Sequence, residues 1–498
     1  MSEEPHNRPF WLFPAAIALM LLPATVAYVT LGAALIASGG FAYARRAAAR
    51  RAYTAAESGG RGGVLIGRDA RGRPVVLGDG QLAAHGLIVG ASGAGKSTTM
   101  LSILTEHVAR GRPVVAIDMK GSPDFARQLE AAAASAGRPF RVWTMDGGAS
   151  WNPLAHGNAT ELKDKLIATE RFTEPHYQRA AERYVQMVLQ VLQEARPERP
   201  PTLDEVVDLM DPNRVGALLR HLPAARAERV QDYVSSLTSD QLSAIRGLGT
   251  RLAIISESHT GRFLTPGSGP ELDVRSALAG NEVVLFSLNS SKYGKLAAQL
   301  GTLAVQDLVT AVGHRLDRAE GGGGRLTQAL VGIDEFSALG SDNVISLLAR
   351  GRASGVSALL ATQELADLDR AAPGLRDQIL GITAIKIAHR QDVPASAQTI
   401  AQMAGTEKVW ERTYRFASGL LGGYGAGGTR RQVEQFIVHP NEVKRLRTGE
   451  AIVLAKQPEA SARTVRVAPP RLARAARSPA PPMRRPERPA GRGGAELG

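Results

Sequence analysis

Short apolar runs ending in a glycine, an acid or an amide recur along the chain and predict buried strands. Gly86-Leu87-Ile88-Val89 stops at Gly90, Pro113–Ile117 at Asp118, Ala329–Ile333 at Asp334, and Val356–Thr362 at Gln363. Asn281–Leu288 and Gly449–Val453 are two further apolar runs, the second read as a strand. After Ser97 the spacing changes, and Thr98–Leu104 places apolar residues at helical intervals. Between about Asn158 and Leu248 strand signals fade. Glu161–Ala168, Tyr177–Ala195 and Gln231–Ile245 are helical in period, and Thr202-Leu203-Asp204-Glu205 reads as a helix N-cap followed by early acids. The pattern predicts an α/β core interrupted by an all-helical insertion.

The two ends differ from this middle. Phe10–Ala44 holds no Asp, Glu, Lys, Arg or His over 35 residues. As helix it would run about 50 Å, against a hydrocarbon core of about 30 Å. The cluster of positive charge follows the run, so a retained membrane anchor is expected rather than a cleaved leader. One tilted span and a tight hairpin turning at Pro23 both fit. Either way, Arg45, Arg46, Arg50 and Arg51 put the chain beyond them in the cytoplasm. From Gln457 the chain is rich in Pro, Ala and Arg and reads as a disordered tail. The formal charge of +13 is concentrated at these ends, which suits phospholipid head groups or nucleic acid. The chain has no cysteine, which excludes disulfides, thiolate zinc sites and cysteine nucleophiles. The ten histidines form no helical pair beside a carboxylate and read as ordinary side chains.

Chemistry enters at Gly90-Ala91-Ser92-Gly93-Ala94-Gly95-Lys96-Ser97, a glycine loop between a strand and a helix that continues through Thr98. Glycines let backbone N–H groups turn inward on phosphates, and the helix N-terminus adds a favourable field. Lys96 is expected to reach the β and γ phosphates of ATP, and Ser97 to ligate Mg²⁺. Downstream, Asp334 is expected to hold Mg²⁺ and Glu335 to activate the attacking water as general base. Gln363 could sense the γ-phosphate. Arg350 and Arg352, just before that strand, are candidates for a finger reaching a neighbour's nucleotide, and the sequence does not choose between them. Asp118 suits either work behind the phosphates or a simple strand-end cap.

In their order these parts resemble a type IV secretion coupling protein of the TraG/TraD conjugative type, within the P-loop DNA translocase superfamily. The resemblance runs from about Val75 to Lys456. It rests on the P-loop, Ile117-Asp118-Met119-Lys120-Gly121, Trp151-Asn152-Pro153-Leu154, Asn281–Leu288, Ile333-Asp334-Glu335-Phe336, Gly351-Arg352 leading to Gln363, Ala404-Gly405 and Gly449–Val453. The family commonly has proline where Met119 stands. Its anchors often enclose a longer periplasmic segment than the turn available here.

The resemblance implies a RecA-like P-loop NTPase core with an inserted all-alpha domain used for substrate or relaxosome choice. It implies roles for Lys96, Ser97, Asp334, Glu335 and Gln363, a homo-hexameric ring, and DNA, a relaxase, channel components and the membrane as partners. The expected organisation is a tail (1–9), an anchor (10–44), a basic linker (45–63), the core (64–157 and 251–456) around the insertion (158–250), and a tail (457–498). The expected function is ATP-driven DNA transfer. A septal double-stranded DNA translocase and a nucleotide-gated scaffold without turnover are the alternatives. The tail lacks the winged-helix reader usual in septal pumps, and Glu335 beside Asp334 argues against a scaffold.

Overall fold

A computed structural model describes residues 62–170, 172, 174–320, 326–339, 341–414 and 428–470. The expected anchor at Phe10–Ala44, the arginines after it and most of the glycine-rich Ser418–Gly428 segment lie outside the described residues. Strands β1 (Gly63–Asp69) and β2 (Pro74–Gly78) open the described chain as an antiparallel pair. Then come β3 (Gly86–Val89), β4 (Val114–Asp118) and β5 (Phe140–Thr144). A long helical passage separates these from β6 (Val283–Ser287), β7 (Ala329–Asp334), β8 (Val356–Thr362) and β9 (Ile385–Ala388). A separate two-stranded ribbon comes next, β10 (Thr406–Tyr414) with β11 (Gly428–Phe436). Last are β12 (Glu450–Ala455) and β13 (Ser461–Val467).

Eleven of these strands form one sheet in the order β2-β1-β13-β12-β9-β3-β8-β7-β4-β6-β5. From β9 to β5 neighbours are parallel, and from β12 outward they are antiparallel. The central strands β3, β4, β7 and β8 are buried at every residue, which explains why each is a continuous apolar run and not an alternating one. Their side chains divide between two cores. Leu87, Val89, Val115 and Ile117 pack on one face with the helical passage, while Ile88, Val114 and Ala116 pack on the other with Met100, Ile103 and Leu104 of helix Lys96–Ala109. Among the described residues one helical stretch, Ser290–Arg318, is long and apolar enough to cross a membrane, and 78% of its apolar window is buried in the core.

The helical passage holds the expected helices with shifted edges. Ala159–Ile167 is capped by Asn158 with Glu161, Pro175–Ala195 comes after it, and Leu203–Leu209 is capped by Thr202 with Glu205 as its sequence suggests. Three expectations change. Gln231–Ile245 is not one helix: Ala224–Ser235 ends, and Ser239–Ser256 starts at Thr238, whose hydroxyl accepts from the Gln241 N–H while the Gln241 amide oxygen accepts from the Thr238 N–H. Thr-x-x-Gln is a capping-box signature that breaks the period locally. The second helix also runs past 250, so no edge of the insertion falls there. Finally, the tail does not begin at Gln457, because Ser461–Val467 pairs with β12 on one side and β1 on the other and buries Val465.

The Trp151-Asn152-Pro153-Leu154 step is the joint between helices and sheet. Trp151 meets Trp143 and Phe286 edge-on at 5.6 and 4.9 Å between ring centroids. Its indole N–H donates to Asp307 Oδ2 at 3.0 Å, and Asp307 Oδ1 accepts from the fully buried Lys165 at 2.9 Å.

Candidate nucleotide site

The glycine loop leaves β3 at the C-terminal edge of the parallel strands, between β9 and β8, where the order of open α/β sheets places ligands. Gly93 (φ 71°) and Gly95 (φ 118°) carry the loop through left-handed backbone closed to most side chains. The loop is held from three sides. The Gly90 N–H donates to the Gln363 carbonyl (3.2 Å), Ala91 N–H to Arg390 (2.8 Å), and Gly449 N–H to the Ala94 carbonyl (3.0 Å).

Behind it sits His389, fully buried. Its Nδ1 donates to the Glu450 carbonyl at 2.9 Å, which leaves Nε2, 2.9 Å from Thr99 Oγ1, to accept from that hydroxyl. Burial pulls His389 down to about 4 and keeps the ring neutral. A Cβ on Gly90 would lie 2.6 Å from His389 Cβ, so the loop needs glycine here for close approach.

Lys96 folds back on its own loop, its Nζ donating to the carbonyls of Gly90 (2.5 Å) and Ala91 (3.2 Å). Burial, with the Lys120 charge behind it, pushes this ammonium below its ordinary value. Ser97 Oγ donates to Asp334 Oδ2 at 2.9 Å. The cradle fits a nucleotide with its metal. An ammonium rests on the first two carbonyls of the loop, and beside it a hydroxyl and a carboxylate, groups of the kind that ligate a divalent ion, lie within hydrogen-bond distance of each other.

Asp334 closes β7, buried and in register with Asp118 of β4. Glu335 comes next in left-handed backbone (φ 55°, ψ 43°), a conformation that costs a non-glycine residue about 1 kcal/mol or more and that concentrates at functional sites. There it turns its carboxylate toward Gln363, whose Nε2 donates to Glu335 Oε1 at 2.5 Å. The structure thus brings Lys96, Ser97, Asp334, Glu335 and Gln363 together. It does not bring Arg352 to them. Arg350 and Arg352 are exposed at the end of helix Ser341–Gly351, before β8 begins, and Arg352 disfavours charge on His85 at the opposite edge of the sheet.

The sequence assigns no role to Lys120, yet its ammonium lies 3.1 Å from Glu335 Oε1 and 3.6 Å from Asp334 Oδ2. Burial disfavours its charge, but Asp334 and Glu335 outweigh that and hold Lys120 above its ordinary value. Asp118 builds the turn that delivers it, accepting from the N–H groups of Lys120 (2.9 Å) and Ser122 (2.6 Å). Gly121 (φ 65°) leaves no room for a side chain, since a Cβ would sit 2.7 Å from Asn289 Cβ. Burial raises the Asp118 carboxyl to about 6. Of its two sequence readings the cap describes the contacts, and the cap places a cation on the acidic pair. The Asp-Met-Lys-Gly segment is the signal that could have found it. Among the described residues no group of three or more His, Asp or Glu side chains is arranged to hold a metal ion.

Two family models match the chain. One, described as the TraM recognition site of TraD and TraG, matches residues 328–448, and the other, the FtsK/SpoIIIE family, matches residues 46–126. No curated protein matches in sequence. Among solved structures, the bacterial conjugative coupling protein TrwB lacking its first 70 residues is similar at TM-score 0.57 and 14% identity, over 82% of this chain and 88% of that one. TrwB in complex with ADP and Mg²⁺ gives TM-score 0.56 at 14% identity, over 82% and 90%. VirB4 of Thermoanaerobacter pseudethanolicus gives TM-score 0.52 at 14% identity, over 82% and 96%. In motif order, in family models on both sides of the helical passage and in fold, the chain resembles the TraG/TraD-type coupling ATPases.

Proposed function

We propose that the chain is a membrane-anchored ATPase that drives DNA, alone or joined to a relaxase, into a conjugative type IV secretion channel. One observation carries this reading. Glu335, Gln363 and Lys120 meet the P-loop residues Lys96 and Ser97 at one sheet edge, in a fold shared with plasmid coupling proteins. Lys96 would leave its own carbonyls for the β and γ phosphates of ATP, with the loop N–H groups from Gly90 through Ser97 and Thr98 around them. Ser97 and Asp334 would hold Mg²⁺, which when bound draws charge from the phosphate oxygens. Glu335 would accept the proton of the attacking water, with Gln363 orienting it. Lys120 and Gln363 both engage Glu335 Oε1, and phosphate oxygens of a bound nucleotide would compete with the base for those two donors. Arg350 or Arg352 would act only on a neighbouring subunit's nucleotide, consistent with a hexameric ring. The helices between β5 and β6 would select the DNA or its relaxase, and Phe10–Ala44 would anchor the ring with the ATPase in the cytoplasm.

The FtsK/SpoIIIE match at residues 46–126 favours a second reading, a septal double-stranded DNA translocase. A nucleotide-gated scaffold would have no use for Glu335. The deciding experiment measures ATPase rate on the full-length chain with no DNA, single-stranded DNA and duplex DNA. Stimulation by single strands supports transfer, and stimulation by duplex alone supports the septal reading. A rate indifferent to both defeats the two together. Glu335→Gln should bind ATP as the wild type does and lose at least about a hundredfold in turnover. Normal turnover would unseat Glu335 as the base.

A further inference from the structure

The β10–β11 ribbon stands outside the main sheet, and nothing in the nucleotide site uses it. Strand period two puts Lys408, Trp410 and Arg412 of β10 on one face with their register partners Glu434, Gln432 and Arg430 of β11. Trp410 is 51% exposed, while Trp143 and Trp151 are buried. About half of the indole surface therefore stays in water. The Arg430 guanidinium lies over this ring, 4.2 Å from its centroid. Arg412 and Arg430 face each other directly across the ribbon, a like-charge pairing that ordinarily destabilises it. Among the described residues neither has an ion pair, and the one carboxylate on this face, Glu434, stands opposite Lys408. Carboxylates Glu407 and Glu411 lie on the other face with Arg431.

We propose that this face of the ribbon is a contact for single-stranded nucleic acid, a base stacking on Trp410 and two phosphates lying against Arg412 and Arg430. The face combines an exposed indole with two arginines that have no ion pair among the described residues. Stacking needs an uncovered base face, which single strands offer and duplexes hide in their own stack. Phosphates relieve the repulsion between the two arginines, and Arg430 on one side of the indole strengthens a base on the other. This rests on the reading of the chain as a nucleic-acid motor, and it adds where that substrate is held outside the nucleotide site.

The test uses the full-length chain carrying Trp11→Phe, so that Trp410 dominates accessible indole fluorescence. Oligothymidine of about 16 nucleotides should quench it. Trp410→Ala should weaken binding about tenfold or more while leaving basal ATPase unchanged. Arg412→Gln and Arg430→Gln should each lower the slope of log affinity against log salt by about 0.7. Unaltered oligonucleotide affinity in Trp410→Ala overturns the proposal. So does equal quenching by a blunt duplex. Quenching by polyglutamate that displaces the oligonucleotide overturns it too, assigning the face to an acidic protein partner. If quenching occurs but the ATPase ignores DNA, the motor reading fails and the ribbon contact stands. If DNA stimulates the wild type and Trp410→Ala equally, and oligonucleotide affinity is also unaltered, the ribbon contact fails and the motor reading stands.

Discussion

Replacing Lys165 by methionine tests what joins the helical passage to the ATPase core. Lys165 lies on helix Ala159–Ile167 with its side chain fully buried, and Asp307 on helix Ser290–Glu320 is 6% exposed. The ammonium spends its three protons on Asp307 Oδ1 (2.9 Å) and the carbonyls of His156 (2.8 Å) and Pro153 (3.1 Å). Asp307 Oδ2 takes the Trp151 indole N–H. Lys165→Met fills nearly the same volume but leaves a buried carboxylate facing one neutral donor. Breaking such a pair costs about 3–5 kcal/mol. Asp307→Leu strands the ammonium at a similar cost. The double variant removes both charges and leaves the Pro153 and His156 carbonyls and the Trp151 N–H unpaired, at about 1–3 kcal/mol each, losses that the two single variants already carry between them. The two single costs should therefore exceed the double by at least about 3 kcal/mol. Urea unfolding monitored by tryptophan fluorescence measures this, because Trp151 sits in the network. Single costs under about 1 kcal/mol, or a double equal to their sum, would refute the account.

The site and its supports give three further expected outcomes. Lys120→Ala removes a cation that phosphate oxygens would draw from Glu335 and should lower kcat about 10–100-fold with a smaller effect on ATP affinity than Lys96→Ala, checked by steady-state kinetics and equilibrium binding. Gly90→Ala drives a Cβ to 2.6 Å from the His389 Cβ and should cost about 1–3 kcal/mol, read as a lowered melting temperature and weaker ATP binding. His85, whose Nδ1 accepts the Ala358 N–H (3.0 Å) and whose Nε2 donates to the Leu348 carbonyl (2.9 Å), is pulled by burial to about 4. Above pH 6.5 it is neutral folded and unfolded. Between pH 6.5 and 4 only the unfolded chain takes the proton, so stability falls by about 3 kcal/mol across that window. His85→Asn, which tolerates the left-handed backbone found there (φ 62°), should flatten that part of the pH profile.

Much of the site was legible because its parts are local. Gly90–Ser97 needs only its own glycines and the helix after it to declare itself, and Asp334-Glu335 needs only the apolar strand before it. Gln363 was legible as a polar residue ending such a strand. Lys120 was visible as a residue but not as a partner, because its place depends on the Asp118 turn and on packing against Asn289 from a distant strand end. His389 carried no signal at all. It acts by lying under Gly90, from a distant part of the chain.

Apolar period and glycine placement determined the central strands β3, β4, β7 and β8, the P-loop and the helical character of the long insertion, since burial on both faces or on one stripe imposes those patterns directly. Tertiary structure alone decided the rest. Ser461–Val467 reads as a basic tail, and only hydrogen bonds to β1 and β12 make it a strand. Arg352 and Gln363 flank one short strand, and the length of β8 carries the two to opposite edges of the sheet. Strand pairing and edge are properties of the sheet order, which joins segments far apart in sequence. No local pattern encodes that Lys120 and Gln363 would meet on one oxygen of Glu335.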